Sequence, residues 1–334
     1  MKFRTTVVAA LTAVVAASAF VLTGRAQRPA ASYQHLNPVI RLLQQKQPVF
    51  GVYRPSPRPF RRPGTPPPTT PPKSPAELAT ETLGYHLNDF LFDGGPEEGV
   101  DEALPGIREY VSALIAADAS AKTPFFGLVH PLILKTSNIA RAGDAAGRNI
   151  SRELNLGASG IMFVEAGSAA EVRKGIAAMR FRSHGGTRPD AVGMAPKYWG
   201  MSEAEYRQKA DLWPLNPEGE LINWTIVETP EGLAHVKEIA AVKGIGVLWP
   251  GAGTLRQLYT TTDASGKRTF DQEKWEAAIQ KVLAACKEFH VPCGYPANAG
   301  DIEMRMQQGF SVFVMPWGEQ GFKAVEIGRK AAGR

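Results

Sequence analysis

The sequence predicts a (β/α)8 TIM barrel, and three observations point there. Eight short apolar runs read as strands, and most are followed by a stretch with helical spacing. The runs are continuous rather than alternating, which suits parallel strands buried on both faces. No Gly-rich dinucleotide fingerprint follows an early strand, which counts against a doubly wound sheet, the alternative arrangement.

The N-terminal residues read as an export signal. Lys2 and Arg4 make a basic start, residues 6–22 are almost wholly apolar, and "GRA" offers small residues for cleavage after Ala26. Residues 1–26 are therefore expected to be a signal peptide of a periplasmic or secreted protein, with an uncleaved anchor as the alternative. No cysteine follows the apolar run, which argues against a bacterial lipoprotein. No later stretch is long and apolar enough to span a membrane.

Residues 27–53 hold an N-terminal segment and the first strand, "PVFGVY". Residues 54–75, "RPSPRPFRRPGTPPPTTPPKSP", are low in complexity and rich in proline. Such a stretch buries no core and reads as a disordered, solvated insertion. It interrupts a barrel domain that spans 36–334.

The later strands are "DFLFDGG", "TPFFGLVHP", "SGIMFVEAG", "LINWTIVET", "GIGVLWPG", "VPCGYPAN" and "SVFVMPWG". Helical spacing marks "DEALPGIREYVSALIAA", "GDAAGRNISRELNLG", "SAAEVRKGIAAMR", "PEGLAHVKEIAAV" and "DQEKWEAAIQKVLAACKEF", the last with Asp271 as its cap. The insertion "APKYWGMSEAEYRQKADLWPLNPEGE" carries Tyr198, Trp199, Tyr206 and Trp213. That density of aromatics reads as a lid over the barrel mouth or an oligomer contact.

Charge adds little. The formal net charge is +6, but Lys2, Arg4 and Arg25 fall within 1–26, so the chain beyond carries +3. Arg54, Arg58, Arg61, Arg62 and Lys73 all lie in 54–75, and the remaining body is slightly acidic. No basic groove for nucleic acid is indicated. Two cysteines, Cys286 and Cys293, exclude a disulfide scaffold and a cysteine-rich zinc site. Two buried free thiols are the expected state, with a single disulfide as the alternative.

In such a barrel, catalytic residues stand at the C-terminal ends of the strands. There the sequence places Asp93, His130, Glu165, Glu228, Trp249 with residues 250–253, Tyr295 with Asn298, and Trp317. Carboxylates that converge need a cation or protons to relieve their repulsion, and oxygen ligands suit magnesium or manganese. Glu228 ends an apolar strand just ahead of Pro230, so position alone leaves it level between metal ligand and helix cap. Asp93, in "FDGGPEEG", also reads as a turn former. His184 and Arg188 lie in the Gly-rich "RSHGGTRPDAVG", which by composition reads as a solvated loop. His35, His86, His235 and His290 show no ligand spacing.

From Leu36 onward the chain resembles the HpcH/HpaI aldolase/citrate lyase family. The matching pieces are "NPVIRLLQQKQPVFGVY", "DFLFDGGPEEG", "LGASGIMFVEAGSAAEVRKGIAAMRF", "IVETPEGLAHVKEIAAVKGIGVLWPGAG" and "GFSVFVMPWG". The resemblance implies a phosphoenolpyruvate/pyruvate-type barrel, a homo-oligomer and a class II aldolase-type carbon–carbon lyase. It implies a pyruvate-derived 2-oxo acid as ligand and a divalent metal that stabilises its enolate. Glu228 falls on the family's metal Glu. Its metal Asp would stand at Ala252 or Gly253 in "WPGAGTL", its His at Pro96, and the Gln two before the metal Glu is Ile226. The family's Arg falls on His130, while Arg141 matches its spacing to "NLGASG".

The expected constellation is then Glu228 and Glu165 on the metal, with His130, Arg141 and Asp93 in catalysis. Arg188, Trp249, Gly251 and Ala252 would face the substrate. The other class is a catalytically degenerate barrel that binds a small organic acid or serves an assembly.

Overall fold

Eight parallel strands form the frame: β1 (Val49–Tyr53), β2 (Phe90–Asp93), β3 (Leu132–Lys135), β4 (Gly160–Phe163), β5 (Leu221–Val227), β6 (Ile245–Pro250), β7 (Gly294–Pro296) and β8 (Val312–Met315). Each pairs with its neighbour in chain order, and β8 pairs with β1. A parallel bridge between Leu248 and Cys293 joins β6 to β7 and closes the ring. The computed structural model describes residues 33–58, 71–121, 123 and 125–334. The expected signal peptide and residues 59–70 of the proline-rich insertion lie outside the described residues. No helix among the described residues is long and apolar enough to cross a membrane.

The continuous apolar runs fold this way because each strand is covered twice. Phe90, Phe92, Ile133, Met162, Trp224 and Trp249 point inward and fill the barrel. Their alternates, such as Leu91, Leu132, Leu134 and Phe163, face the surrounding helices. Trp224 packs edge-on to Phe90 at 5.0 Å and stacks on Trp249 at 5.5 Å. Each such burial contributes about 1.5–3 kcal/mol. The helix Pro38–Gln44 plugs the end where the strands begin, with Val39, Ile40, Leu42 and Leu43 joined to the interior cluster. Asn37 caps it, and buried Glu220 accepts the N–H groups of Leu36 and Asn37 at 3.0 Å each. The helix Gln272–Glu288 begins at Asp271, which accepts the Lys274 N–H at 3.0 Å, as its sequence predicts.

The third strand lies later than expected. Residues 126–129, within "TPFFGLVHP", form a short helix, and the strand is "LILK" after Pro131. A short apolar run does not distinguish helix from strand by periodicity. The shift moves His130 from the mouth to the opposite end, just before β3 begins. There burial pushes its pKa down, and its backbone carbonyl accepts the Tyr198 hydroxyl at 3.2 Å.

The aromatic insertion is neither lid nor exposed contact. Tyr198, Trp199 and Tyr206 are fully buried under the strand-start end of the barrel. Trp199 donates its indole N–H to the Gly157 carbonyl at 2.8 Å and packs edge-on to Tyr206 at 4.8 Å. These residues cover core; only Trp213 stays partly open. The cysteines also differ from expectation. Cys286 and Cys293 form a disulfide, because the turn between helix and β7 brings their Cα atoms to 5.7 Å.

Candidate functional site

At the strand ends a cavity of about 220 Å³ opens, lined by Tyr53, Phe92, Lys135, Met162, Ile226, Glu228, Trp249, residues 251–254, Pro296 and Val314. Glu228 is its acid. It follows β5 directly and is 3% exposed. The helix cap is its neighbour: Thr229 accepts the Gly232 N–H at 3.0 Å, with Pro230 in the first turn. Relieved of capping, the Glu228 carboxyl accepts the backbone N–H of Glu165 at 3.1 Å and the Thr254 hydroxyl. Burial raises its pKa above the usual carboxylate range; Thr254, the charge of Lys135 and the Glu165 N–H offset part of that rise.

Glycine makes room for this acid. A Cβ on Gly251 would come 2.3 Å from the Glu228 Cβ and 2.5 Å from Oε2. A Cβ on Gly294 would come 1.7 Å from the Trp249 ring, so glycine also lets that indole form the cavity floor.

The basic member of the cavity is Lys135, which the misplaced third strand hid from sequence reading. It is in parallel register with Met162 and points inward with it. Its ammonium lies 2.6 Å from Glu97 Oε2. Burial works against its charge, but Glu97, Glu228 and Tyr53 outweigh that, and its pKa is held above the ordinary lysine value. Glu97 comes from the 3-10 turn Gly95–Glu97 that follows β2, one residue past Pro96. An apolar run ended by a cation, "LILK", was the available signal.

The other expected residues stand around this pair with partners of their own. Asp93 ends β2, but its carboxylate holds the Arg54 guanidinium and the Gly95 N–H and does not line the cavity. Arg54 belongs to this rim rather than to a solvated loop, with its guanidinium 5.1 Å from the Tyr110 ring centre. Glu165 sits past the end of β4 with a left-handed backbone, φ 49°. Its side chain turns to Arg141 at 2.5 Å and Asn138 at 3.2 Å and does not line the cavity. Arg141 is thus at the rim and largely exposed. Trp249, Gly251 and Ala252 all line the cavity, as the sequence places them.

Arg188 does not face the cavity. The helix Ala169–Met179 carries the chain back to the strand-start end, so the Gly-rich loop lies away from the mouth. Arg188 is 1% exposed, its guanidinium 4.2 Å from the Phe181 ring centre, and it donates to Asn155 Oδ1 at 2.9 Å and Tyr206 Oη at 3.0 Å. It holds core together and cannot meet a ligand at the mouth. His184, in the same loop, lies 3.8 Å from Asp211.

Among solved structures, an HpcH/HpaI aldolase/citrate lyase family protein from Burkholderia cenocepacia superposes with a TM-score of 0.59 at 18% identity, covering 84% of this chain and 92% of that one. The chain folds as an HpcH/HpaI-type barrel. An HpcH/HpaI aldolase from Desulfitobacterium hafniense gives 0.54 at 16% identity, over 83% of this chain and 88% of that one. Macrophomate synthase gives 0.55 at 18% identity, over 91% and 90%. No family model matches the sequence, and no curated protein sequence matches it.

The residues of this HpcH/HpaI-type barrel do not fit the divalent ion that the resemblance implies. Among the described residues Glu228 is the one carboxylate lining the cavity, and Ala252, Gly253 and Thr254 stand where the resemblance puts a second acid. Glu165, the expected second ligand, is held by Arg141 and Asn138. Lys135 puts an ammonium in the same space. Among the described residues no three His, Cys, Asp or Glu side chains group to ligate a metal.

Proposed function

We propose that this mouth binds a small 2-oxo acid and that the protein is an aldolase-like carbon–carbon lyase working through an enolate. The observation that carries the reading is Glu228. It is a buried carboxyl with a raised pKa, at the C-terminal end of a barrel strand, in a cavity sized for a small acid. The fold likeness supports the reading. A carboxyl moved toward neutrality takes up and returns protons more readily than an ordinary one.

In the cleaving direction, ionised Glu228 takes the proton of the 4-hydroxyl group. The C3–C4 bond breaks, an aldehyde leaves, and the electron pair delocalises as the enolate of the 2-oxo acid. Glu228 then returns its proton to C3. Lys135, paired with Glu97, supplies N–H donors to the acid's oxygens, and Phe92, Met162 and Trp249 keep water from the reacting carbons. No step is assigned to a metal. The pattern of residues 1–26 supports action outside the cytoplasm.

The test is proton exchange. Pyruvate incubated with the protein in heavy water should lose its methyl proton signal, and Glu228→Gln should abolish that loss. Absence of exchange, with and without magnesium or manganese, overturns the lyase reading. Binding of pyruvate without exchange would establish the degenerate acid-binding barrel instead.

A further inference from the structure

The strand-start end of the barrel carries a second concavity, a full strand length from Glu228. Two adjoining hollows of about 510 and 550 Å³ share Trp213, His290, Val291 and Pro292. The junctions that lead from helices into β1, β5, β6, β7 and β8 build them together. Lys243 lines the first hollow, and Lys46 and Lys287 line the second. None of these three lysines has an ion-pair partner among the described residues, and no Asp or Glu lines either hollow. The apolar part of the wall comes from Leu43, Leu215, Val242, Phe289 and Val291.

Cations near helix C-termini are common, because they complement the helix dipole. That explains Lys243 and Lys287 singly; it does not explain a lining with no acid at all. The backbone adds an independent observation. Four junction residues of this groove take left-handed φ: Gly244 at 103°, Gly309 at 112°, Lys46 at 55° and His290 at 54°. Glycine adopts that conformation at least cost and is the usual residue there. At two of the four positions the chain instead carries Lys46 and His290, each at a cost in backbone energy, and both line the groove.

We propose that this groove is a binding site for an amphiphilic monoanion, a carboxylate, sulfonate or phosphate with an aliphatic or aromatic body. The body lies against Trp213, Phe289 and Val291, and the head is drawn by Lys46, Lys243 and Lys287. The volumes suit a single small molecule. The choice of an anion rests on the all-basic lining, and the choice of an amphiphile rests on the partly exposed indole and apolar wall beside it.

The test uses anilinonaphthalene sulfonate as a fluorescent probe on the full-length chain, with dodecanoate and benzoate as competitors. Combined Lys46→Gln, Lys243→Gln and Lys287→Gln should weaken probe binding by roughly tenfold or more, and Lys287→Glu alone should weaken it measurably. These are exposed side chains, so the melting temperature should stay unchanged. Higher salt should weaken the wild type and barely affect the triple variant. Glu228→Gln should leave probe affinity as it is. Equal affinity in the triple variant, displacement of the probe by pyruvate, or no saturable binding would each overturn the proposal. Competition by an acidic peptide but by neither small acid would also overturn it and make the groove a protein-docking surface.

Discussion

The backbone N–H of Glu165 donates to Oε1 of Glu228 across 3.1 Å, while the Glu165 side chain turns outward to Arg141. The residue thus supports Glu228 with its main chain, which no side-chain substitution removes. Glu165→Ala sacrifices a rim ion pair to Arg141, worth about 0–1 kcal/mol, and the hydrogen bond from Asn138. Pyruvate proton exchange should stay within roughly threefold of wild type. A loss of more than roughly tenfold would mean that the Glu165 carboxylate itself takes part.

Gly251→Ala should do far more damage than a single methyl group suggests. The new Cβ meets the Glu228 Cβ and Oε2 at distances no packed pair tolerates. The acid must move, because Gly251 is fixed by its N–H bond to the Val227 carbonyl at 3.0 Å. Urea unfolding should report a stability loss of about 1–3 kcal/mol. Exchange should fall by roughly two orders of magnitude, since small displacements of a reacting group are costly.

Glu153 is fully buried in the helix Ala145–Asn155, and burial raises its pKa well above the ordinary carboxylate range. A carboxyl with a raised folded-state pKa supports the fold while protonated. That support is complete below the unfolded-state value and is lost as pH rises through the folded-state value. Glu153→Gln removes this titration. Unfolding free energies measured from pH 5 to 8 should decline less steeply in the variant, the difference reaching about 1.4 kcal/mol per pH unit where the wild type alone releases a proton on unfolding. Parallel curves would show that Glu153 ionises freely.

The Cys286–Cys293 disulfide closes a short loop onto the strand that seals the ring. Chain-entropy reasoning for a loop of sequence separation 7 gives roughly 2–3 kcal/mol. Thermal melts with and without a phosphine reductant should differ accordingly, and Cys286→Ala with Cys293→Ala should match the reduced protein. A reductant-insensitive melt would refute that contribution.

Seven of the eight strands were readable because a strand covered on both faces needs an unbroken apolar run, and such runs are visible. The third was misread because "FFGLV" and "LILK" both satisfy that pattern and Pro131 falls between them. The later of the two is the strand, which leaves His130 at the strand-start end and sets Lys135 at the mouth. Glu228 was legible as a strand-end acid, and its cap alternative fell away once Thr229 took that role. Arg188 was misplaced for a different reason: a loop that follows a helix lies at the end opposite a loop that follows a strand. The disulfide was not legible, because a gap in sequence does not state a Cα separation. Glu97 stands in the 3-10 turn just past the strand that Asp93 ends, where no periodicity marks which way a side chain faces.

The helix Pro38–Gln44 has a consequence for traffic. With Val39, Ile40, Leu42 and Leu43 packed into the lower end, the barrel is a stoppered vessel, filled and emptied past the exposed Tyr53 and Pro296. On the proposed lyase reading, the small acid enters first in the condensation direction, and its aldehyde partner closes the door behind it. An aldehyde that arrives early blocks the doorway. Initial rates should then follow an ordered sequence with the acid leading and show inhibition by excess aldehyde.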